Sequence, residues 1–143
     1  MPDVGFRKWL GLTYAEMDDG RAVVSLDLDE DKRNVRDVAH GGVVASLIDV
    51  AMGTAAGGGN YDTRKRLVVT LELKVNYLAP ASGKTLTATA EVVRSGSRTQ
   101  VVRCDVRTDD GEVCATALGT FITRRPHAND RSASDRGAEA EGG

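Results

Sequence analysis

A single carboxylate lies in a long stretch of the chain that is otherwise uncharged. Asp49 is the only charged side chain between Gly41 and Tyr61. Removing a carboxylate from water costs free energy. A carboxylate that lies among apolar and small residues therefore needs hydrogen-bonding partners or has a chemical role. The pattern leaves two interpretations equally open: a catalytic carboxylate, or one satisfied by local backbone or by a group across an interface.

The residues around Asp49 have the spacing of an α-helix from Gly41 to Ala56. One stripe of this helix is apolar and contains Val44, Leu47, Ile48, Ala51 and Ala55. The side that holds Asp49 is otherwise built of small residues, namely Gly42, Ala45, Ser46 and Gly53. A surface helix normally carries several charges, so we expect a sheet or a partner to cover this one. The small residues leave room for a ligand or another subunit.

His40, Gly41 and Gly42 stand at the predicted start of the helix. Glycines there allow a ligand to approach the backbone closely, and Gly42 is therefore a candidate contact for a substrate. The unpaired N–H groups and the helix dipole favour a negatively charged oxygen, such as the one that a thioester carbonyl acquires under attack. A Gly-Gly pair at a helix start is also common as a simple entry turn, so this feature alone is weak evidence.

The rest of the chain predicts an α+β fold with one main helix and an antiparallel sheet. A short helix is expected at Val4–Leu10, and strands at Thr13–Met17, Arg21–Leu28, Leu67–Leu78, Thr85–Ser95, Thr99–Thr108 and Glu112–Thr123. Strict alternation in the third strand places Leu67, Val69, Leu71, Leu73, Val75 and Tyr77 on one face. It places Thr70 on the opposite face. Thr70 could therefore act at the site only if that face, or a bulge in the strand, brings it against the partner's helix.

Composition excludes several classes of protein. The 143 residues have a formal net charge of −2 and scattered basic residues, which argues against nucleic-acid binding. No apolar run is long enough to cross a membrane, no secretory signal is evident, and Cys104 and Cys114 lack metal or redox spacing. We therefore expect a cytoplasmic protein without a metal or cofactor, with one domain at residues 1–125 and a disordered tail at residues 126–143.

Two segments of the chain resemble the PaaI-like subfamily of hotdog-fold thioesterases. They are Asn34–Asp49, with the sequence NVRDVAHGGVVASLID, and Val69–Pro80, with the sequence VTLELKVNYLAP. The resemblance extends from about Phe6 to Thr123. It implies a sheet wrapped round one central helix, hydrolysis of acyl-CoA to free acid and CoA, and active sites at subunit interfaces. We also expect a homodimer that assembles to a homotetramer, because the charge-poor helix and the apolar strand Leu67–Leu78 leave more surface to cover than one thin sheet can.

The same resemblance implies roles for particular residues. Asp49 matches the catalytic acid, as nucleophile or as base for water, and the Gly41 N–H matches the oxyanion donor. Asn34 and His40 match residues that position the thioester and shape the loop. Thr70 matches a hydroxyl that holds the attacking water and is supplied by the other subunit. One departure is Asp37, since the family often has a glycine there.

The hairpin turn between the fourth and fifth strands matches a region that contacts the CoA phosphates in this family. Arg94, Gly96, Ser97 and Arg98 are therefore the expected substrate-binding residues there, and Lys65 with Arg66 is the alternative location. More commonly, a hairpin turn of this kind is exposed to solvent and binds no ligand.

Two other functions remain possible at this stage. A hotdog hydratase or dehydratase would use a His with an Asp before the helix, and Asp37 and His40 are both present. Asp49 would then have no role. A non-catalytic acyl-CoA-binding module would keep the pocket without the chemistry.

Overall fold

A computed structural model describes residues 4–59 and 63–127 and contains two α-helices and six strands in that part of the chain. The elements are α1 (Gly5–Leu10), β1 (Leu12–Asp18), β2 (Arg21–Asp27), α2 (Gly41–Gly57), β3 (Leu67–Tyr77), β4 (Thr85–Ser95), β5 (Thr99–Thr108) and β6 (Val113–Arg124). Every predicted element is present, with ends shifted by a residue or two. A short 3-10 turn, Glu30–Lys32, lies in the loop before α2.

The six strands form one antiparallel sheet in the order β1-β2-β4-β5-β6-β3. Helix α2 packs against one face of this sheet and touches every strand. This arrangement confirms the expected hotdog fold, in which a sheet wraps round a central helix. Strand β3 lies at one edge, with β6 as its neighbour.

The core between α2 and the sheet combines large helix residues with small strand residues. Leu47 and Ile48 of the helix are fully buried, and so are Ala88 and Ala90 of β4. Small side chains on the sheet let the helix axis approach closely, and each buried Leu or Ile contributes about 1.5–3 kcal/mol. The apolar stripe predicted from the sequence is therefore the buried face of the helix.

Helix α2 ends in a left-handed turn at Gly58, which has φ 72°. The Gly58 N–H donates to Thr54 and Ala55, and the Gly59 N–H also donates to Thr54. Glycine is the residue that adopts this conformation without strain, so the glycine run ends the helix as predicted.

Strand β3 departs from the strict alternation that the sequence predicted. Its register with β6 shifts between Thr70 and Glu72, which makes a bulge at Leu71. Thr70 pairs with the buried Phe121 before the bulge, and Leu73 pairs with Gly119 after it. The expectation of one continuous apolar face was wrong, because an extra residue moves Thr70 onto the same face as Leu73.

Within the described residues, no helix is long and apolar enough to cross a membrane. The tail expected at residues 126–143 falls almost wholly outside the described part of the chain. Pro126 and His127 are described and lie in no helix or strand.

Candidate active site

Asp49 and Thr70 meet at the centre of the site. Thr70 donates its hydroxyl hydrogen to Asp49 Oδ1, with 2.6 Å between the oxygens. The bulge at Leu71 turns Thr70 toward the helix, so a residue on β3 reaches the middle of α2. The resemblance placed this hydroxyl on another subunit, whereas here the contact forms within one chain. A hydrogen bond to a charged oxygen contributes roughly 1.5–3 kcal/mol, which holds the carboxylate in one orientation.

A cavity of about 520 Å³ opens beside this pair. The small residues of α2 form one wall, and β3, β6 and α1 form the others. The lining includes Phe6, Arg7, Ala45, Ser46, Asp49, Val50, Gly53, Thr54, Gly57, Arg64, Arg66, Val68, Thr70, Leu73 and Phe121. The side of the helix predicted to leave room for a ligand therefore lines a cavity of ligand size.

The start of α2 leaves one amide available. His40 caps the helix, since its Nδ1 accepts the Gly42 N–H at 2.9 Å. The carbonyl of His40 accepts the N–H groups of Val43 and Val44. Among residues 4–59 and 63–127, no acceptor occupies the Gly41 N–H. The Gly41 N–H is thus a donor without an intrahelical acceptor at the positive end of a helix dipole, where a negatively charged oxygen is favoured.

Tyr77 holds the Gly41 backbone from the other side. Its hydroxyl donates to the Gly41 carbonyl at 2.7 Å. A Cβ added to Gly41 would lie 3.4 Å from this hydroxyl, which is ordinary contact. The sequence did not single out Tyr77, because its link to the helix start joins positions far apart in the chain.

The loop before α2 is shaped by Asn34, whose Oδ1 accepts the Arg36 N–H at 2.8 Å. The Asn34 N–H donates to Val38, and the Asp37 N–H donates back to the Asn34 carbonyl. Asp37 has φ 61°, in the left-handed region that favours glycine. Aspartate tolerates this backbone conformation better than most residues other than glycine.

Gly41 and Asp49 are too far apart along one helix to act on the same carbonyl. Eight residues separate them, which is about 12 Å at the usual helical rise of ~1.5 Å per residue. A nucleophile and an oxyanion donor must both approach a reacting carbonyl group to about 3 Å. The Gly41 N–H and the Asp49 carboxylate of one chain therefore cannot both reach one carbonyl group.

A second cavity, of about 360 Å³, lies at the tip of the β4–β5 hairpin. It is lined by Lys65, Arg66, Ser95, Gly96, Ser97, Gln100, Thr123, Arg124 and Arg125, and we call it the basic cavity. The turn residues Gly96 and Ser97 lie where the sequence placed them, whereas Arg94 and Arg98 do not line it. Arg124 and Arg125 were missed because they lie at and just after the end of β6 and form no motif.

The two cysteines are buried free thiols. Burial raises the pKa of Cys104 to about 12, so this thiol stays protonated and unreactive at neutral pH. Among the described residues no cluster of His, Cys, Asp and Glu has the arrangement of a metal site.

Residues 37–115 match the family model of the thioesterase superfamily. The YigI protein of Salmonella typhimurium, a medium/long-chain acyl-CoA thioesterase, is 33% identical over 96 residues, covering 59% of this chain and 62% of that protein. The structure of PaaI from the E. coli phenylacetic acid degradation operon has 28% identity and a TM-score of 0.74, covering 84% of this chain and 83% of that one. The BH2602 protein of Bacillus halodurans, solved with CoA, has 33% identity and a TM-score of 0.65, covering 71% of this chain and 66% of that one.

The sheet wrapped round α2 and the cavity beside it define a hotdog-fold enzyme. The chain belongs to the thioesterase superfamily, in which it is a PaaI-like hotdog thioesterase, and it hydrolyses thioesters.

Proposed function

We propose that this enzyme hydrolyses acyl-CoA thioesters and that Asp49 is its catalytic carboxylate. The observation that carries the proposal is the Asp49–Thr70 pair in the wall of the larger cavity, which shares Arg66 with the basic cavity. A CoA thioester has a reacting carbonyl at one end and several phosphates at the other. The larger cavity offers a carboxylate to the reacting carbonyl, and the basic cavity offers cations to the phosphates.

The site is completed by a second copy of the chain. Since Gly41 and Asp49 are about 12 Å apart in one chain, we place Asp49 and Thr70 of one subunit opposite Gly41 of another. A dimer related by a two-fold axis then has two equivalent sites. Asn34 and His40 shape the loop and the helix start beside the donating Gly41.

Strand β3 is the surface that we assign to this dimer. It is an edge strand with unpaired backbone groups, and Val69, Leu71 and Tyr77 on it are 62%, 58% and 55% exposed. Such an edge pairs readily with another strand. On the outer face of the neighbouring strand β6, Leu118 and Ile122 are 49% and 38% exposed, which supports further assembly of dimers to a homotetramer.

In the proposed reaction the thioester carbonyl accepts a hydrogen bond from the Gly41 N–H. Asp49 either attacks the carbonyl carbon itself or takes a proton from a water that attacks it. The negative charge that develops on the carbonyl oxygen is stabilised by the Gly41 amide and the helix dipole. The C–S bond then breaks, CoA leaves as a thiolate that takes up a proton, and water supplies the second oxygen of the free acid.

Thr70 donates to Asp49 and so fixes which carboxylate oxygen faces the substrate. His40 must remain unprotonated at Nδ1, because this atom accepts the Gly42 N–H.

The geometry disfavours the hydratase alternative. The Asp37 side chain is 90% exposed and its nearest cationic partner is Arg33, at 3.8 Å. His40 uses Nδ1 as the helix cap. Within the described residues the two side chains form no hydrogen bond with each other, so the Asp–His pair that hydration needs is absent there.

Release of free CoA from a panel of acyl-CoAs, measured with a thiol-reactive dye, tests the proposal. We expect hydrolysis by the wild-type enzyme and a loss of roughly a hundredfold or more in kcat for Asp49→Asn and Asp49→Ala, with folding unchanged. Consumption of an enoyl-CoA without thiol release would indicate a hydratase, and binding without turnover would indicate a binding module. An Asp49→Ala variant with near wild-type kcat would remove Asp49 from the mechanism.

A further inference from the structure

One guanidinium, that of Arg66, is shared by the two cavities. Arg66 lines both the Asp49 cavity and the basic cavity. Its side chain is 26% exposed, so it forms part of a wall and does not extend into solvent. A ligand that occupied both cavities would pass this residue.

The Arg66 side chain is held in place by two acceptors. Its Nη1 donates to Asp19 Oδ1 at 2.8 Å and to the Ala56 carbonyl at 3.1 Å, and its Nη2 donates to Asp19 Oδ2 at 3.1 Å. Asp19 thus binds the end of the guanidinium through two parallel hydrogen bonds. Ala56 lies at the C-terminal end of α2, where the helix dipole favours a cation. The orientation of Arg66 is therefore set before any ligand arrives.

Asp19 is itself fixed to the same helix end. It lies in the turn between β1 and β2, and the next residue, Gly20, donates its N–H to the Ala55 carbonyl at 3.1 Å. Lys65 Nζ approaches Asp19 Oδ2 at 3.3 Å. The hydrogen bonds from Arg66 hold the pKa of Asp19 below its ordinary value, so the carboxylate is charged at neutral pH.

The guanidinium keeps two donors for a ligand. Arginine has five N–H groups, and Asp19 and Ala56 occupy three of them. The Nε–H and the second Nη2–H have no acceptor among residues 4–59 and 63–127. These two groups lie side by side on one edge of the planar group, the arrangement that binds two oxygens of a phosphate.

We propose that Arg66, oriented by Asp19, binds the phosphate that ends the pantetheine arm of the substrate. The inference rests on the proposed function. The Ala56 carbonyl lies about 10 Å along the helix axis from Asp49, so one substrate reaches both points only through an extended arm. The same phosphopantetheine chemistry occurs in CoA and in acyl carrier proteins. The other cations of the basic cavity then bind the nucleotide phosphates that CoA alone carries.

Steady-state kinetics on three thioesters of one acyl group test this assignment: acyl-CoA, acyl-phosphopantetheine and acyl-pantetheine, which lacks phosphate. Arg66→Met should raise KM roughly tenfold or more for the two phosphorylated substrates, with kcat nearly unchanged. KM for acyl-pantetheine should stay the same. Asp19→Asn should give the same pattern with a smaller rise, because Arg66 is then present without its anchor.

Arg125→Met is the matched control, since Arg125 lines the basic cavity without lining the Asp49 cavity. It should raise KM for acyl-CoA and leave the other two substrates unaffected. Binding of phosphopantetheine to the Asp49→Asn protein, followed by calorimetry with and without Arg66→Lys, gives a readout independent of turnover, and Arg66→Lys should weaken it.

Three outcomes would overturn the assignment. KM of Arg66→Met could remain at the wild-type value, it could rise equally for acyl-pantetheine, or it could rise for acyl-CoA alone. The last result would place Arg66 among the nucleotide-binding cations. A wild-type enzyme that hydrolyses none of the three thioesters would instead refute the proposed function.

Discussion

Replacing Gly41 by proline removes the proposed oxyanion donor and little else. Gly41 is the first residue of α2, where proline is well tolerated because its missing N–H has no helical acceptor. His40 has φ −59° and ψ 137°, the extended conformation that a residue before proline prefers. A Cβ at position 41 would be 3.4 Å from the Tyr77 hydroxyl, which is van der Waals contact.

The expected result is a loss of activity without a loss of stability. Removing one oxyanion donor costs roughly 10²–10³ in kcat, or about 2.7–4 kcal/mol of transition-state stabilisation. Proline at a compatible site changes the free energy of unfolding by less than about 1 kcal/mol, often favourably. Gly41→Ala is the matched control, because it adds a similar side-chain atom and keeps the N–H.

The assay compares kcat for CoA release by Gly41→Pro and Gly41→Ala, together with Tm for both. If Gly41→Pro has a kcat within about threefold of Gly41→Ala and an unchanged Tm, the Gly41 amide is not the oxyanion donor. The charge on the carbonyl oxygen would then be stabilised elsewhere.

Four further predictions concern the groups around the site. Thr70→Val should fold normally and lower kcat roughly tenfold, because a hydrogen bond to a charged oxygen is lost; Thr70→Ser should recover most of the rate. Tyr77→Phe should lower kcat several-fold at constant KM, and a change in KM alone would contradict a positioning role. Asp37→Ala should lower Tm relative to Asp37→Gly, since alanine is strained at positive φ by about 1 kcal/mol; equal Tm values would refute this. Acid should weaken the Asp19–Arg66 ion pair. The hydrogen bonds from Arg66 lower the pKa of Asp19 in the folded protein below its ordinary value of 3.8. The stability that the ion pair contributes is therefore complete above pH 3.8 and is lost as the pH falls through the lowered pKa. The free energy of unfolding of Asp19→Asn, measured against pH, should not show this loss of stability in acid.

The helix and strands were predictable because their cause is local. The apolar spacing in α2 and the alternation in β4 follow directly from which side chains are buried, and the structure places Ile48 and Ala88 accordingly in the core. The importance of Asp49 also followed from a local signal, since a lone charge in an uncharged helix is conspicuous.

The features that the sequence did not predict depend on contacts between distant segments. The bulge at Leu71 is a register shift between β3 and β6, and alternation within β3 alone placed Thr70 on the wrong face. The Asp19–Arg66 ion pair joins the β1–β2 turn to the residue directly before β3, across 47 positions. A charged turn residue has the same appearance in sequence whether it is solvated or paired.

In the proposed enzyme, Asp49 of one subunit and Gly41 of another act on the same thioester. The most direct test is an enzyme assembled from one Gly41→Pro subunit and one Asp49→Asn subunit, coexpressed with two different tags and purified through both. In each mixed dimer with shared sites, one site carries both defects and the other carries neither, so up to about half of the wild-type acyl-CoA hydrolysis should return. Both parent variants should remain nearly inactive. If the mixed enzyme is as inactive as its parents, Asp49 and Gly41 of different subunits do not act on the same thioester.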